Sequence, residues 1–327
     1  MFIGITSSKQ PVSLVLIPLT AVLLWLPGFF LEAQPNLQVN MPLYGSIEPW
    51  LIVNPFIARL FGLTTVILTG FSINYVVNEH QIAPKKSWLP ALLYVTMASS
   101  TPGLLWLHPA LPATFLLVWS LHLVLSTYRD ETVKGTIFHA GVLAGLSALI
   151  YFPAILFILC LLVALIILRP FNGREWVILF SGASLPFVYS GFYFFMADSW
   201  QGVTRRYIVD PIMNKNWFLK LEVADYAVFG VLIIIFLGAL YRYVAGAGTS
   251  TMKTKKSSSV LSWMGICSAL TVLSSQHFHS SSFLFLLAPL TMFATNYFIA
   301  MRKPVLRELV YVLLIGAVIG GYLMRGN

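Results

Sequence analysis

Charge is what this chain has least of: Asp, Glu, Lys and Arg make up 9% of its 327 residues, against 58% hydrophobic. A soluble domain so poor in charge would present large apolar patches to water, so lipid must be the solvent for most of the chain. Cysteine is almost missing as well. Cys160 and Cys267 each sit inside an apolar run, which excludes a CxxC pair, a thiolate metal set and a disulfide framework. A Walker loop, a GxSxG elbow, an HExxH pair and a dinucleotide GxGxxG are all absent, which argues against ATP hydrolysis and serine hydrolysis. No internal repeat is visible, and inverted repeats are the usual sign of a secondary transporter.

The apolar residues that remain fall into runs at 12–31, 51–77, 88–107, 110–127, 137–152, 154–168, 176–196, 225–244, 260–275, 281–300 and 305–324. Most approach the roughly 17–25 residues that a membrane-crossing helix needs. They predict an all-α polytopic membrane helix bundle of about 11 transmembrane helices. The total runs from about 10 to 12, because 137–152 and 154–168 are short and meet at Phe152-Pro153, either as a tight hairpin or as one kinked element. The first run is as long as a span and lacks a small-x-small cleavage site, so it reads as a retained helix.

The net charge of +9 is topogenic rather than a nucleic-acid groove, because the basic residues flank the runs. With the N-terminus inside, the inner connections receive Lys9, Lys85, Lys86, Arg129, Lys134, Arg169, Arg174, Arg242, Lys253, Lys255, Lys256, Arg302, Lys303 and Arg307. The outer ones receive Arg205, Arg206, Lys215, Lys220 and Arg325. Two outer loops, 32–50 and 197–224, carry interfacial Trp and Tyr and suit helices lying on the membrane. The inner stretch 245–259 (AGAGTSTMKTKKSSS) has the composition of a flexible cytoplasmic linker, dividing a front part of eight spans (1–244) from three C-terminal spans (260–327).

Few residues are left to carry chemistry. Glu32 follows the first run and Glu48 precedes the second, while Arg59 stands inside the second, where a cation either snorkels to the headgroups or clamps a phosphate bidentately. Arg205 and Arg206 in the second long outer loop are either headgroup-facing or converge with Arg59 on a lipid-linked phosphate. His277, His279 and His108 lie at outer turns and suit polar turns or proton carriers near a substrate; without a third ligand of metal-site spacing they predict no metal. His122, inside a run, is expected to hydrogen-bond between helices. The mixed charges near Asn78, Arg129 and Arg169 read as helix caps and topology signals.

The stretch from about Gly135 to Phe195, most specifically RPFNGREW, resembles a family of Gram-negative bacterial inner-membrane proteins defined by a domain of unknown function, and within it AGVLAGLSALIYFPAILF carries a second likeness. More distantly it is similar to the GT-C glycosyltransferases, in which a helix pair of this kind leads into a basic inner turn, here at Arg169. The resemblance to GT-C enzymes implies a catalytic acid in the first outer loop, where Glu32 and Glu48 stand, although no Asp-Asp or Asp-x-Asp pair is present. It implies a polyprenyl-phosphate-linked sugar or envelope glycan as substrate at the outer face, with Arg59, Arg205 and Arg206 on the phosphate. Membrane lipids are partners in any case. Two further readings stand beside this one: a non-catalytic subunit of a secretion or envelope-assembly complex with a protein partner in the membrane, and a lipid or small-molecule transporter.

Overall fold

The computed structural model describes residues 12–30, 41–100, 105–128, 130, 132–198, 202, 223–246, 252–274, 280–301 and 303–325. Among them, all regular structure is helical. In chain order the α-helices are α1 Val12–Phe30, α2 Pro42–Val53, α3 Pro55–Glu79, α4 Leu89–Ala98, α5 Ala110–Ser126 and α6 Lys134–Ile150. They continue with α7 Phe157–Leu168, α8 Gly173–Met196, α9 Val223–Gly246, α10 Met252–Ser274, α11 Leu284–Ala300 and α12 Pro304–Arg325. Short 3-10 turns, Phe152–Leu156 and Ser280–Phe283, lead into α7 and α11. Six of the helices (α1, α3, α8, α9, α10 and α12) are long and apolar enough to cross a membrane, and a helix lies within each of the other five apolar runs. The chain is a helical membrane protein.

Local sequence sets the helix ends. Proline opens α2, α3 and α12, where a missing N–H costs nothing. Asn172 caps α8 by accepting the Arg174 N–H at 3.2 Å. Within the helices, Thr69, Ser72, Thr114, Thr295 and others donate to the carbonyl four residues back, so few hydroxyls are left unsatisfied where no water reaches.

The core is built around α4. All ten of its residues are buried, walled by α1, α3 and α11. Trp25 of α1 donates to the Ser99 hydroxyl at 3.0 Å, and the Tyr322 hydroxyl of α12 donates to the Ser99 carbonyl, so the end of α4 is tied to both α1 and α12. At about 15 Å this helix is half a bilayer deep. It is much shorter than the expected run 88–107, because the chain leaves the helix at Ser99 and Ser100, just before the breaking sequence Thr101-Pro102-Gly103.

The break at Phe152-Pro153 resolves as a hairpin. Arg169, just past α7, donates to the carbonyls of Thr127 and Asp130 at 2.8 and 2.6 Å, which places the end of α7 beside the start of α6. The tightest seam in the molecule joins α6 to α8. A Cβ on Gly141 would overlap the Leu179 carbonyl oxygen and come within 3.0 Å of the Ala183 nitrogen. Gly145 and Gly182 are equally confined, against Ala183 and Phe138. This is small-residue packing at a four-residue spacing, which brings backbones together where lipid supplies no hydrophobic drive.

The Lys- and Arg-rich connections gather at one end of the bundle. Besides its two carbonyls, Arg169 meets Glu175 of α8 at 3.2 Å. Lys256 donates to the Leu168 carbonyl at 3.2 Å and lies over the Tyr128 ring. Asn78 and Ser87 exchange two hydrogen bonds across the turn after α3. Arg169 and Lys256 thus form a latch that joins the end of α7 to the turn after α5, to α8 and to α10, while Arg129 and Glu131 lie outside the described residues. The stretch 245–259 is not loop throughout: α10 begins at Met252, Lys253 to Ser259 are helical, and Ser257 is buried. Gly, Ser, Thr and Lys composition matched a flexible linker, but the long Lys256 stem has an aromatic ring and a carbonyl to pack against.

Candidate functional site

At the opposite end, α2 occupies the first expected outer loop. Tyr44 and Leu51 form its buried face, and Glu48, four residues after one and three before the other, shares that face and is half-buried. The Tyr44 hydroxyl donates to the Leu107 carbonyl, pinning α2 onto the segment before α5. Tyr44, Leu51, Ala58 and Trp106 make a small apolar cluster separate from the main core, with Leu107 and Ile150 packed on it. Burial first, and then the Glu48 charge, push the Tyr44 hydroxyl well above the usual phenol range, against an opposing hydrogen bond from Trp106. The Glu48 carboxylate is therefore close enough to be felt by a buried phenol.

Arg59 lies in the first turn and a half of α3, next to Ala58 of that cluster. It is half-buried, and its Nη1 donates to the Phe29 carbonyl at the end of α1 at 3.4 Å. One guanidinium nitrogen is thereby engaged by the protein backbone. Glu48 and Arg59 stand on two consecutive helices, α2 and α3, that meet at Asn54.

His108 sits in the same region. Its Nδ1 accepts the Ala110 N–H at 3.1 Å, and its ring meets the Tyr151 ring edge-on at 6.0 Å, with Tyr151 stacked on Phe285 at 5.3 Å. The polar turn expected at His108 is thus also a helix-capping one. Glu32, Arg205, Arg206, His277 and His279 lie outside the described residues. Among the described residues no group of His, Cys, Asp or Glu could hold a metal ion.

Sequence reasoning passed over Tyr44, Trp106 and Tyr151, which shape this region. The only available signal was local: Tyr44 follows a helix-opening proline, and Trp106 stands two residues before His108-Pro109. His122, expected to bond between helices, does so with His80, Nδ1 to Nε2 at 3.0 Å, at the basic end. His80, just past α3, is held down at about 4 by burial, then by His122 and Lys253.

Apolar helices whose Ser and Thr hydroxyls largely bond their own backbone, six of them long enough to cross a bilayer, are those of an α-helical membrane protein. No protein-family model, curated protein or solved structure matches the chain.

Proposed function

We propose that the chain is a multi-pass protein of a bacterial inner membrane, with about eleven crossings, the N-terminus inside and a GT-C-like arrangement, acting on a polyprenyl-phosphate-linked sugar or envelope glycan. The aromatic end is the outer face. Glu48, or Glu32 in the same expected outer loop, takes the proton of the acceptor hydroxyl as the hydroxyl oxygen attacks the sugar's anomeric carbon. The lipid phosphate leaves with the bonding pair, and Arg59 holds its oxygens, aided by Arg205 and Arg206. His108, His277 and His279 serve as proton carriers at the rim.

The observation that supports this reading is the position of Glu48: on the protein-facing side of α2, one turn from an anchored tyrosine, in the helix that runs directly into the one carrying Arg59. A carboxylate meant only for solvation would stand on the opposite side of α2, with Ser46 and Trp50. The test is turnover of a radiolabelled polyprenyl-phosphate sugar by the full chain in liposomes. Glu48→Gln should lower kcat roughly 10²- to 10⁴-fold with lipid binding retained, whereas Arg59→Leu should weaken binding. Undiminished turnover in both Glu48→Gln and Glu32→Gln removes the enzyme reading.

A second reading, a non-catalytic subunit of an envelope assembly, is favoured by α8. This helix packs chiefly on α6 and leaves Phe180, Tyr189, Phe192 and Tyr193 exposed, an aromatic flank suited to another membrane protein. Full cellular function of the two Gln variants, with a membrane protein still co-purifying through α8, would support it.

A further inference from the structure

Helices α9 and α10 each pack along α11 but diverge from one another, leaving a lateral cleft of about 630 Å³ with α11 as its floor. Its wall is almost wholly apolar, contributed by residues such as Phe236 and Leu240 of α9, Ile266 of α10, and Pro289 and Leu290 of α11. The Ser262 hydroxyl in the wall is already satisfied, donating to the Ser258 carbonyl at 3.1 Å. Two ring pairs mark the ends of the cleft: Phe229 with Phe283, centroids 4.8 Å apart, and Tyr243 with Phe293 at 5.4 Å. From Phe229 to Tyr243 the helix advances about 21 Å, more than the roughly 15 Å of one leaflet's hydrocarbon.

We propose that this cleft is the binding site of an anionic glycerophospholipid, with an acyl chain along the cleft and the phosphate at its basic end. A void of this size in a bilayer forfeits the van der Waals contact that holds membrane helices together, so a chain from the lipid phase fills it. A chain leaving the bilayer for the cleft gains nothing from the hydrophobic effect, so selection among lipids falls to the headgroup. Charge complementarity identifies that headgroup. On α10, Lys255, Ser258, Ser262, Ile266 and Ala269 recur at three- and four-residue spacing, so the stripe lining the cleft runs out at its basic end into a hydroxyl and then an exposed cation. On α9, Arg242 stands next to Tyr243 at that same end and is also exposed. Two cations at one end of an apolar slot match a lipid phosphate of the basic-side leaflet. This site is independent of the proposed chemistry at the aromatic end.

The experiment uses the full chain, reconstituted in vesicles of equal phosphatidylglycerol and phosphatidylcholine with identical acyl chains. The lipids that survive detergent extraction are then counted by native mass spectrometry. Phosphatidylglycerol should be retained in excess, and Arg242→Gln or Lys255→Gln should each reduce that preference about fivefold. Gly265 lines the cleft with no atom within 4 Å of where its Cβ would lie, so Gly265→Leu projects a side chain into the slot. It should evict lipid of either headgroup while leaving the thermal transition in place; Ala269→Leu, on the same wall, is the second variant. Equal retention of the two lipids by the native protein overturns the proposal, as does native lipid retention in both filling variants. Mole-for-mole displacement of phosphatidylglycerol by added polyprenyl phosphate also overturns it, assigning the slot to an isoprenoid.

Discussion

The seam between α6 and α8 and the cleft between α9 and α10 are built from similar materials and come out opposite. Both place glycines on an apolar helix face. At Gly141, Gly145 and Gly182 the partner backbone fills the space a side chain would take; at Gly265 nothing does. The difference lies in the partner. Helix α8 offers Gly182 and Ala183 at matching height, whereas α9 offers Phe236, Leu240 and Tyr243, whose bulk keeps α10 away. Within lipid, apolar character does not decide which helices meet. Shape does.

The largest way to break this contrast is Gly145→Leu. Its side chain must displace the Ala183 carbonyl and Pro186 Cγ, which a Cβ already meets at 3.1 Å, so the seam should open at a cost of about 3 kcal/mol or more. Thermal unfolding in detergent measures it, and an unchanged midpoint would show that the seam is not close-packed. The proposed lipid contact would be unaffected.

A smaller effect concerns the latch that ties α10 to the front helices. The folded protein keeps His80 neutral down to about pH 4, with His122 and Lys253 both opposing its charge, while the unfolded chain takes up the proton near 6.5. Its contribution is therefore fully present above pH 6.5 and is lost as pH falls toward 4, by about 3 kcal/mol in all. His80→Asn should flatten the stability profile over that window; a profile as steep as the native one assigns the acid sensitivity to another group.

The smallest effect is Gly265→Ala. At a helical position with open space, a methyl group reduces the freedom of the unfolded chain and should raise stability by about 0.5–1 kcal/mol. The same substitution at Gly141 should destabilise. If the two change in the same direction, the two helix faces are not the opposites described above.

The helix positions were legible because lipid imposes long apolar runs and proline punctuates them: Pro55 and Pro304 open helices close to the expected boundaries. Two elements were not. The ten-residue α4 lies inside a longer apolar run, because a helix enclosed by protein need not match the bilayer. The start of α10 reads as linker, because its stability comes from Tyr128 and Leu168, far away in sequence. Within the candidate site, Glu48 and Arg59 stood out because charge is rare in such surroundings. Tyr44 and Trp106 did not stand out among 14 tyrosines and 9 tryptophans, which apolar helices use freely at interfaces. The His80–His122 contact spans 42 residues, beyond any local pattern.

The enclosure of α4 also bears on how the protein is made. A ten-residue segment is too short to be threaded into the bilayer as a free-standing unit by the insertion machinery. Its walls include α11, and its end is tied to Tyr322 of α12, both of which leave the ribosome long after it. Leu89–Ala98 must therefore wait, half-sheltered by α1 and α3, until α11 and α12 have been made. A nascent chain that stops before α11 leaves that segment exposed, a ready target for the membrane quality-control proteases that remove unfinished proteins.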